Sequence, residues 1–354
     1  MTVRCKQEEF GQIQSGEKVY LFTLESEGGL TASVTNYGAI LTQLHVPDAK
    51  ENVANVVLGF DALEPYLRKH PHLGGTIGRY ANRIAGASFQ LDGTTYTLAK
   101  NNGENCLHGG LIGFDKKLWQ VEEFGESPQS QSAFVRFSLF SPNMEEGFPG
   151  NLKVFVTYEL TADNALRIDY RASTDLATPL NLTNHSYFNL KGAGKGDILD
   201  HELSVMSDAY TPVNESMIPT GEIAGVEGTA MDFRKPRTVR SRIDEMKIGG
   251  YDHNFILNKS GAMSDDSPTL AAVAFEPTSG RRMTVYTTEP GVQIYTGNNL
   301  NGSVTGLGGA YEKYYAICFE TQHYPDSVHH ADFPNVILRP GQQYRQTTVF
   351  QFSW

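Results

Sequence analysis

The sequence predicts an all-β chain, folded as a single large antiparallel β-sandwich with few short helices, and three observations carry that prediction. Apolar and polar residues alternate with a period of two along many segments. Candidate strands rich in aromatic and β-branched residues recur from one end of the chain to the other. Helical periodicity is nearly absent. No low-complexity linker, charge block or repeat of roughly 20–50 residues interrupts the chain, so residues 1–354 read as one domain.

Taken in order, VYLFTL (19–24) and NVVLGF (55–60) are strand candidates. DALEPYLRKH (61–70) offers the main helical signal, with Asp61 as N-cap, Glu64 three residues on and Pro65 in the first turn, and it predicts one short surface helix. FQLDGTTYTL places Asp92-Gly93 between two strand-like runs and predicts a hairpin over 88–98, because that dipeptide supplies the positive φ angles of a two-residue turn. FVRFSLF (134–140) follows. LKVFVTYEL puts Leu152, Val154, Val156, Tyr158 and Leu160 on one face against Lys153, Thr157 and Glu159, a half-buried strand. LRIDYRAS repeats the pattern with Leu166, Ile168, Tyr170 and Ala172. RRMTVYTTE, VQIYTG, YAICFETQ and the C-terminal TTVFQFSW complete the series.

Charge and cysteine usage exclude several classes. The 29 Lys+Arg against 40 Asp+Glu give a formal net charge of −11, which repels phosphate backbones and anionic lipid, so neither nucleic acid nor a membrane is an expected partner. Cys5, Cys106 and Cys318 form no C-x-x-C pair, which fits a reducing compartment. MTVRCKQEEFGQ lacks the apolar core of a secretory signal, and no stretch approaches the ~20 apolar residues of a membrane span. A cytoplasmic location is the expectation, with no obligate protein partner evident. Under it the N-x-[ST] tripeptides at Asn181, Asn184, Asn214, Asn258 and Asn301 are chance occurrences.

Six segments hold more polar and aromatic residues than strands or turns need: GRYANRIAG, NNGENCLHGG, NLTNHSYFNL, GGYDHNFIL, GVQIYTGNN and CFETQHYPDS. His185 lies among Asn181, Asn184, Ser186, Tyr187 and Asn189, which suits either a poised acid or a core histidine satisfied by those neighbours. Glu320 shares a strand face with Cys318 and Ala316, so it is either a desolvated base of raised pKa or a strand-end carboxylate paired with an arginine or facing water. Asn82, Arg83 and His108 stand in glycine-punctuated turns, where they line a pocket or brace loops. The pairs His70/His72 and His329/His330 recommend no metal site, since no H-E-x-x-H helix or closed Cys/His cluster is present, and none is predicted. KGAGKGD lacks the spacing of a phosphate loop, and G-x-S-x-G is missing.

Together, GRYANRI, HGG with GFDKKLW, NLTNHSYFNL, GYDHN and FETQHYPDS resemble the aldose 1-epimerase (galactose mutarotase) family, in the family's order and from NYGAIL at 36–41 to ILRPGQQYRQTTVFQF at 337–352. The resemblance implies a galactose-mutarotase-like supersandwich whose concave face binds a free monosaccharide. It implies Glu320 as base, His185 as acid, and sugar contacts from Asn82, Arg83, His108, Asp252 and Gln293. No cofactor is implied. Galactose is the expected preference with glucose accepted, and the alternatives are a hexose-6-phosphate mutarotase, which needs converging Arg or Lys, or a non-catalytic sugar-binding protein. A bell-shaped pH dependence of kcat is expected, its acid limb set by the carboxylate and its basic limb by the imidazole.

Overall fold

The fold is described from a computed structural model covering residues 3–127, 129–259 and 267–354. The alternation read in LKVFVTYEL becomes a strand, Leu152–Thr161, whose Leu152, Val154, Val156, Tyr158 and Leu160 are buried while Lys153 is exposed. It pairs antiparallel with Ser132–Ser141 on one side and Ala165–Thr174 on the other. These strands belong to a nine-stranded sheet. In spatial order it runs Gln120–Ser127, Ser132–Ser141, Leu152–Thr161, Ala165–Thr174, Tyr344–Ser353, Arg282–Thr287, Thr269–Phe275, Glu202–Val205 and Arg237–Thr238. The C-terminal strand therefore fills a central position between segments distant in sequence.

Two further sheets pack on this one. A five-stranded meander runs from Val3–Gln12 to Val53–Asn55 in chain order, and a six-stranded sheet centres on Ile317–Gln322, Gly291–Tyr295 and Asp252–Ile256. One hydrophobic core joins all three. It includes Phe22 and Leu24 of the first meander, Phe137, Val156 and Phe350 of the large sheet, and Phe255, Val292 and Phe319 of the six-stranded sheet. Phe22 meets Phe137 edge-on at 5.6 Å between ring centroids, and Phe188 meets Phe350 at 4.9 Å, spacings typical of favourable aromatic pairs.

The hairpin over 88–98 forms as Ser88–Leu91 and Thr94–Thr97, with Asp92 and Gly93 at φ +49° and +81°. The helix expected over 61–70 does not form: the segment is a series of turns. Pro65 lacks an amide hydrogen and crowds the preceding turn, so only isolated bonds such as Tyr66 N–H to Leu63 O remain. NVVLGF is only partly a strand, since Val53–Asn55 ends inside it and Val57 makes an isolated bridge to Phe188. Among the described residues helix is confined to short 3₁₀ segments such as Val239–Glu245, and no helix is long and apolar enough to cross a membrane.

Candidate active site

Register in the six-stranded sheet decides which side chains meet. Tyr187 pairs with Cys318, Cys318 with Tyr295 and Tyr295 with Asp252; one step along, Glu320 pairs with Gln293 and Gln293 with Asn254. Paired residues point to the same side, and residues two apart share a face. Both rows therefore stand on one face, while Phe319, Val292 and Ile294 alternate into the core behind them.

Four short segments bring further side chains to this face. Thr183–Asn184 pairs with Thr76–Ile77, and His185 is pinned on both sides of its peptide, its N–H donating to Gly75 O at 2.9 Å and its carbonyl accepting from Gly74 N–H at 3.0 Å. Arg83–Ile84 pairs with Cys106–Leu107, which brings Asn82 and His108 together. Asn82 N–H donates to His108 Nδ1 at 3.2 Å, and His108 N–H returns a bond to Asn82 O at 3.0 Å. An acceptor at Nδ1 leaves the His108 proton on Nε2 in the neutral ring. Gly109 (φ +82°) permits this approach, since a Cβ there would stand 2.0 Å from Gly78 O.

These elements enclose a cavity of about 140 Å³ lined by Pro71, His72, Asn82, Arg83, Leu107, His108, His185, Tyr187, Asp252, Tyr295, Asn299 and Glu320. Six of the seven site residues expected from the sequence are among them. Gln293 is not: it stands beside Asp252 and donates from Nε2 to Asp252 Oδ1 at 2.6 Å. Glu320 and His185 are 2% and 4% exposed, with Glu320 Oε1 3.6 Å from His185 Nε2. Glu320 Oε2 and Gln293 Oε1 are buried without a hydrogen-bond partner among the described residues. Because Glu320 lines the cavity, its free oxygen can accept a hydrogen bond from a bound molecule.

The company of His185 differs from what the sequence suggested. Asn184 bonds Gly74 O and the Tyr158 hydroxyl, Asn181 bonds His323 O, and Asn189 bonds Gly196 O and Tyr315 O, so the asparagines brace backbone rather than the ring. The ring itself stacks on Tyr187 at 5.0 Å, and its Nδ1 lies 3.7 Å from Cys318 Sγ. In GRYANRI the two arginines divide the labour. Arg79 is buried and donates to Ser141, Pro142 O, Pro149 O and Thr178 Oγ1, a brace, whereas Arg83 bonds Asn102 Oδ1 and lines the cavity.

Burial sets the electrostatics. It pushes the Glu320 carboxyl well above its usual range, with the nearby Asp252 charge adding to the rise and Arg83 opposing it. It pushes His185 down to about 3, aided by His72, and holds His108 well below its ordinary value. Glu320 therefore stands above His185, the reverse of the ordering expected from ordinary pKa values. In the pH range between the two pKa values the pair carries one proton, resting on the carboxyl. His108 stays neutral, a hydrogen-bond donor rather than an acid.

His108, His185 and Glu320 place one ligand atom each within 4.8 Å of one another, a geometry that could accept a metal ion. Neutral imidazoles and a carboxyl serve proton transfer equally well. Arg83 is the one permanent cation among the lining residues, so the converging cluster that a sugar phosphate requires is missing from the cavity wall. A larger open groove of about 580 Å³ lies on the outer face of the nine-stranded sheet, but its carboxylates Glu159 and Asp169 are held by Ser132 and Arg167.

A buried carboxyl–imidazole pair over a small polar cavity in an all-β scaffold suits an enzyme that exchanges protons with a small polar molecule. The aldose 1-epimerase family profile matches residues 20–351, and the chain belongs to that family. It is 47% identical to the galactose mutarotase of Sus scrofa and 46% to that of Homo sapiens, each over 346 residues covering 97% of both chains. The aldose 1-epimerase of Escherichia coli (strain K12) is 37% identical over 343 residues, 95% of this chain and 96% of that one. Among solved structures, galactose 1-epimerase from Lactobacillus acidophilus superposes with a TM-score of 0.84 at 30% identity, covering 99% of this chain and 98% of the other.

Proposed function

We propose that this protein interconverts the α and β anomers of free hexoses, galactose by preference and glucose as well, with Glu320 and His185 exchanging protons with the sugar. The observation that carries the proposal is the buried Glu320–His185 pair, 3.6 Å apart and facing one cavity, with a carboxylate oxygen left without a partner.

The productive form is carboxylate plus imidazolium, which differs from the resting form by transfer of the shared proton from Glu320 to His185 Nε2. Glu320 takes the proton of the anomeric hydroxyl as His185 delivers one to the ring oxygen. The C1–O5 bond breaks, C1=O1 forms, and the hexose becomes an open-chain aldehyde. Rotation about C1–C2 presents the other carbonyl face. The O5 hydroxyl then adds to C1, returning its proton to His185 while Glu320 protonates O1. Each proton transfer of this kind contributes typically 10²–10⁴-fold. The neutral His108 donates from Nε2 toward the ring oxygen, Arg83 balances the developing charge, and Asp252, fixed by Gln293, accepts from a sugar hydroxyl. No step needs a cofactor or metal.

Three unpaired cysteines support a cytoplasmic setting, and the core shared by all three large sheets supports a single domain. The monosaccharide is the partner this reading requires. Polarimetry of freshly dissolved α-D-galactose, and separately of α-D-glucose, tests it: the protein should speed the approach to anomeric equilibrium for both and more for galactose. No acceleration of either sugar would overturn the proposal.

A further inference from the structure

We propose that His72, clamped by the buried carboxylate of Asp115, is a specificity residue of the sugar site that binds the exocyclic hydroxyl at C6. This rests on the reading of the cavity as a hexose site.

His72 lines the cavity, yet its own anchor lies outside it. Nδ1 is 2.7 Å from Asp115 Oδ2, and that carboxylate is fully buried. Burial alone would raise the Asp115 pKa, but His72 and Lys116 beside it outweigh burial and hold it well below the usual carboxylate range. The chain makes room for this clamp with glycine: a Cβ on Gly75 would lie 2.7 Å from Asp115 Cβ, and one on Gly38 would lie 2.3 Å from Asp115 O. With Nδ1 engaged, Nε2 is the polar atom the ring can offer to a ligand.

Backbone conformation marks the same residue. His72, Asn82 and His108 adopt φ of +57°, +61° and +52°, and all three line the cavity. Left-handed backbone is uncommon for residues with a Cβ, so the surrounding structure must hold each of these three in place. The other two belong to the site already described.

Position then selects the hydroxyl. Along the cavity the neighbours follow one another as Asp252, bonded to the Gln293 that pairs with Glu320; Glu320, 3.6 Å from His185; His185; and His72, whose ring lies 6.0 Å from His185 and 4.8 Å from His108. Around a pyranose the order is O2, O1, O5 and then C5 with its C6 hydroxymethyl. Setting Glu320 at O1 and His185 with His108 at O5 puts Asp252 beside O2 and His72 beside O6.

The test compares D-galactose with D-fucose, its 6-deoxy analogue, by polarimetry. In the unaltered protein D-fucose should show a kcat/KM about tenfold below that of D-galactose, because a site that bonds a hydroxyl discriminates against its absence. His72→Asn tolerates the left-handed backbone but is too short to reach both Asp115 and the sugar. It should lower kcat/KM for D-galactose about tenfold more than for D-fucose, chiefly through KM, and so erase the preference. Equal losses on both sugars, or equal rates on both sugars in the unaltered protein, would overturn the assignment. Failure to accelerate either sugar before any substitution would instead sink the reading of the cavity itself.

Discussion

In the proposed mechanism Glu320 exchanges protons with the sugar, and in the fold it is a burden. Its folded pKa is raised above the ordinary 4.5, so the native state binds the proton more tightly than the unfolded chain does. Stability is then lost as pH climbs from the unfolded value through the folded one. Glu320→Gln removes that burden while keeping the shape, and above about pH 5 it should raise Tm by on the order of 2 °C in a thermal scan. The same variant should lower kcat by about 10²–10⁴-fold while galactose binding, followed by calorimetry, persists. His185 makes the complementary case. With its imidazole pushed down to about 3, nitrogen NMR at pH 7 should show a neutral ring. The acid limb of kcat/KM then belongs to protonation of the imidazole and the alkaline limb to loss of the carboxyl proton, so Glu320 rather than His185 should govern the high-pH fall. An imidazolium at pH 7 would contradict this ordering. Glu320 and His185 stood out because each stands in a segment with more polar and aromatic residues than a strand requires, but only the family resemblance offered them roles. His72 did not: it sits between Pro71 and Leu73, and its partner Asp115 lies 43 residues away.

At the scale of elements, the site is a consequence of register. A one-residue slip of Ile317–Gln322 against Gly291–Tyr295 would turn Glu320 into the core and Phe319 into the cavity. The turns that add to this site are equally constrained. Gly109→Ala would place a methyl group 2.0 Å from Gly78 O at a positive φ. The conformational penalty alone is about 1–2 kcal/mol, and relief of the clash must move His108. The variant should therefore unfold earlier in denaturant and show a raised KM for galactose. Strands such as Leu152–Thr161 were legible because one face is wet and the other buried, which writes a period of two into the sequence. The short paired segments that carry Arg83 and Leu107 and that precede His185 left no such trace, since two-residue strands have no period to read. The helix expected at 61–70 failed for the converse reason: capping residues were present, but Pro65 and the packing of Leu63 and Tyr66 took the segment into turns.

The whole molecule joins three sheets through one core, an arrangement whose strand order no local pattern announces. Tyr344–Ser353 lies between Ala165–Thr174 and Arg282–Thr287, and only long-range pairing fixes that place. Charge and composition were legible at this scale. A net charge of −11 steers anions away but acts weakly on a neutral hexose, so kcat/KM for galactose should stay within about twofold between low and high salt. A steep salt dependence would point to a charged substrate. Proton transfer without a metal predicts that exhaustive treatment with a chelator leaves the rate unchanged. The account depends most on the proton-exchanging pair, and polarimetry of α-D-galactose with the unaltered protein, Glu320→Gln and His185→Asn side by side tests it most directly. It predicts strong acceleration by the unaltered protein and loss of about 10²-fold or more in each variant, with sugar binding retained. Undiminished turnover in Glu320→Gln would contradict it.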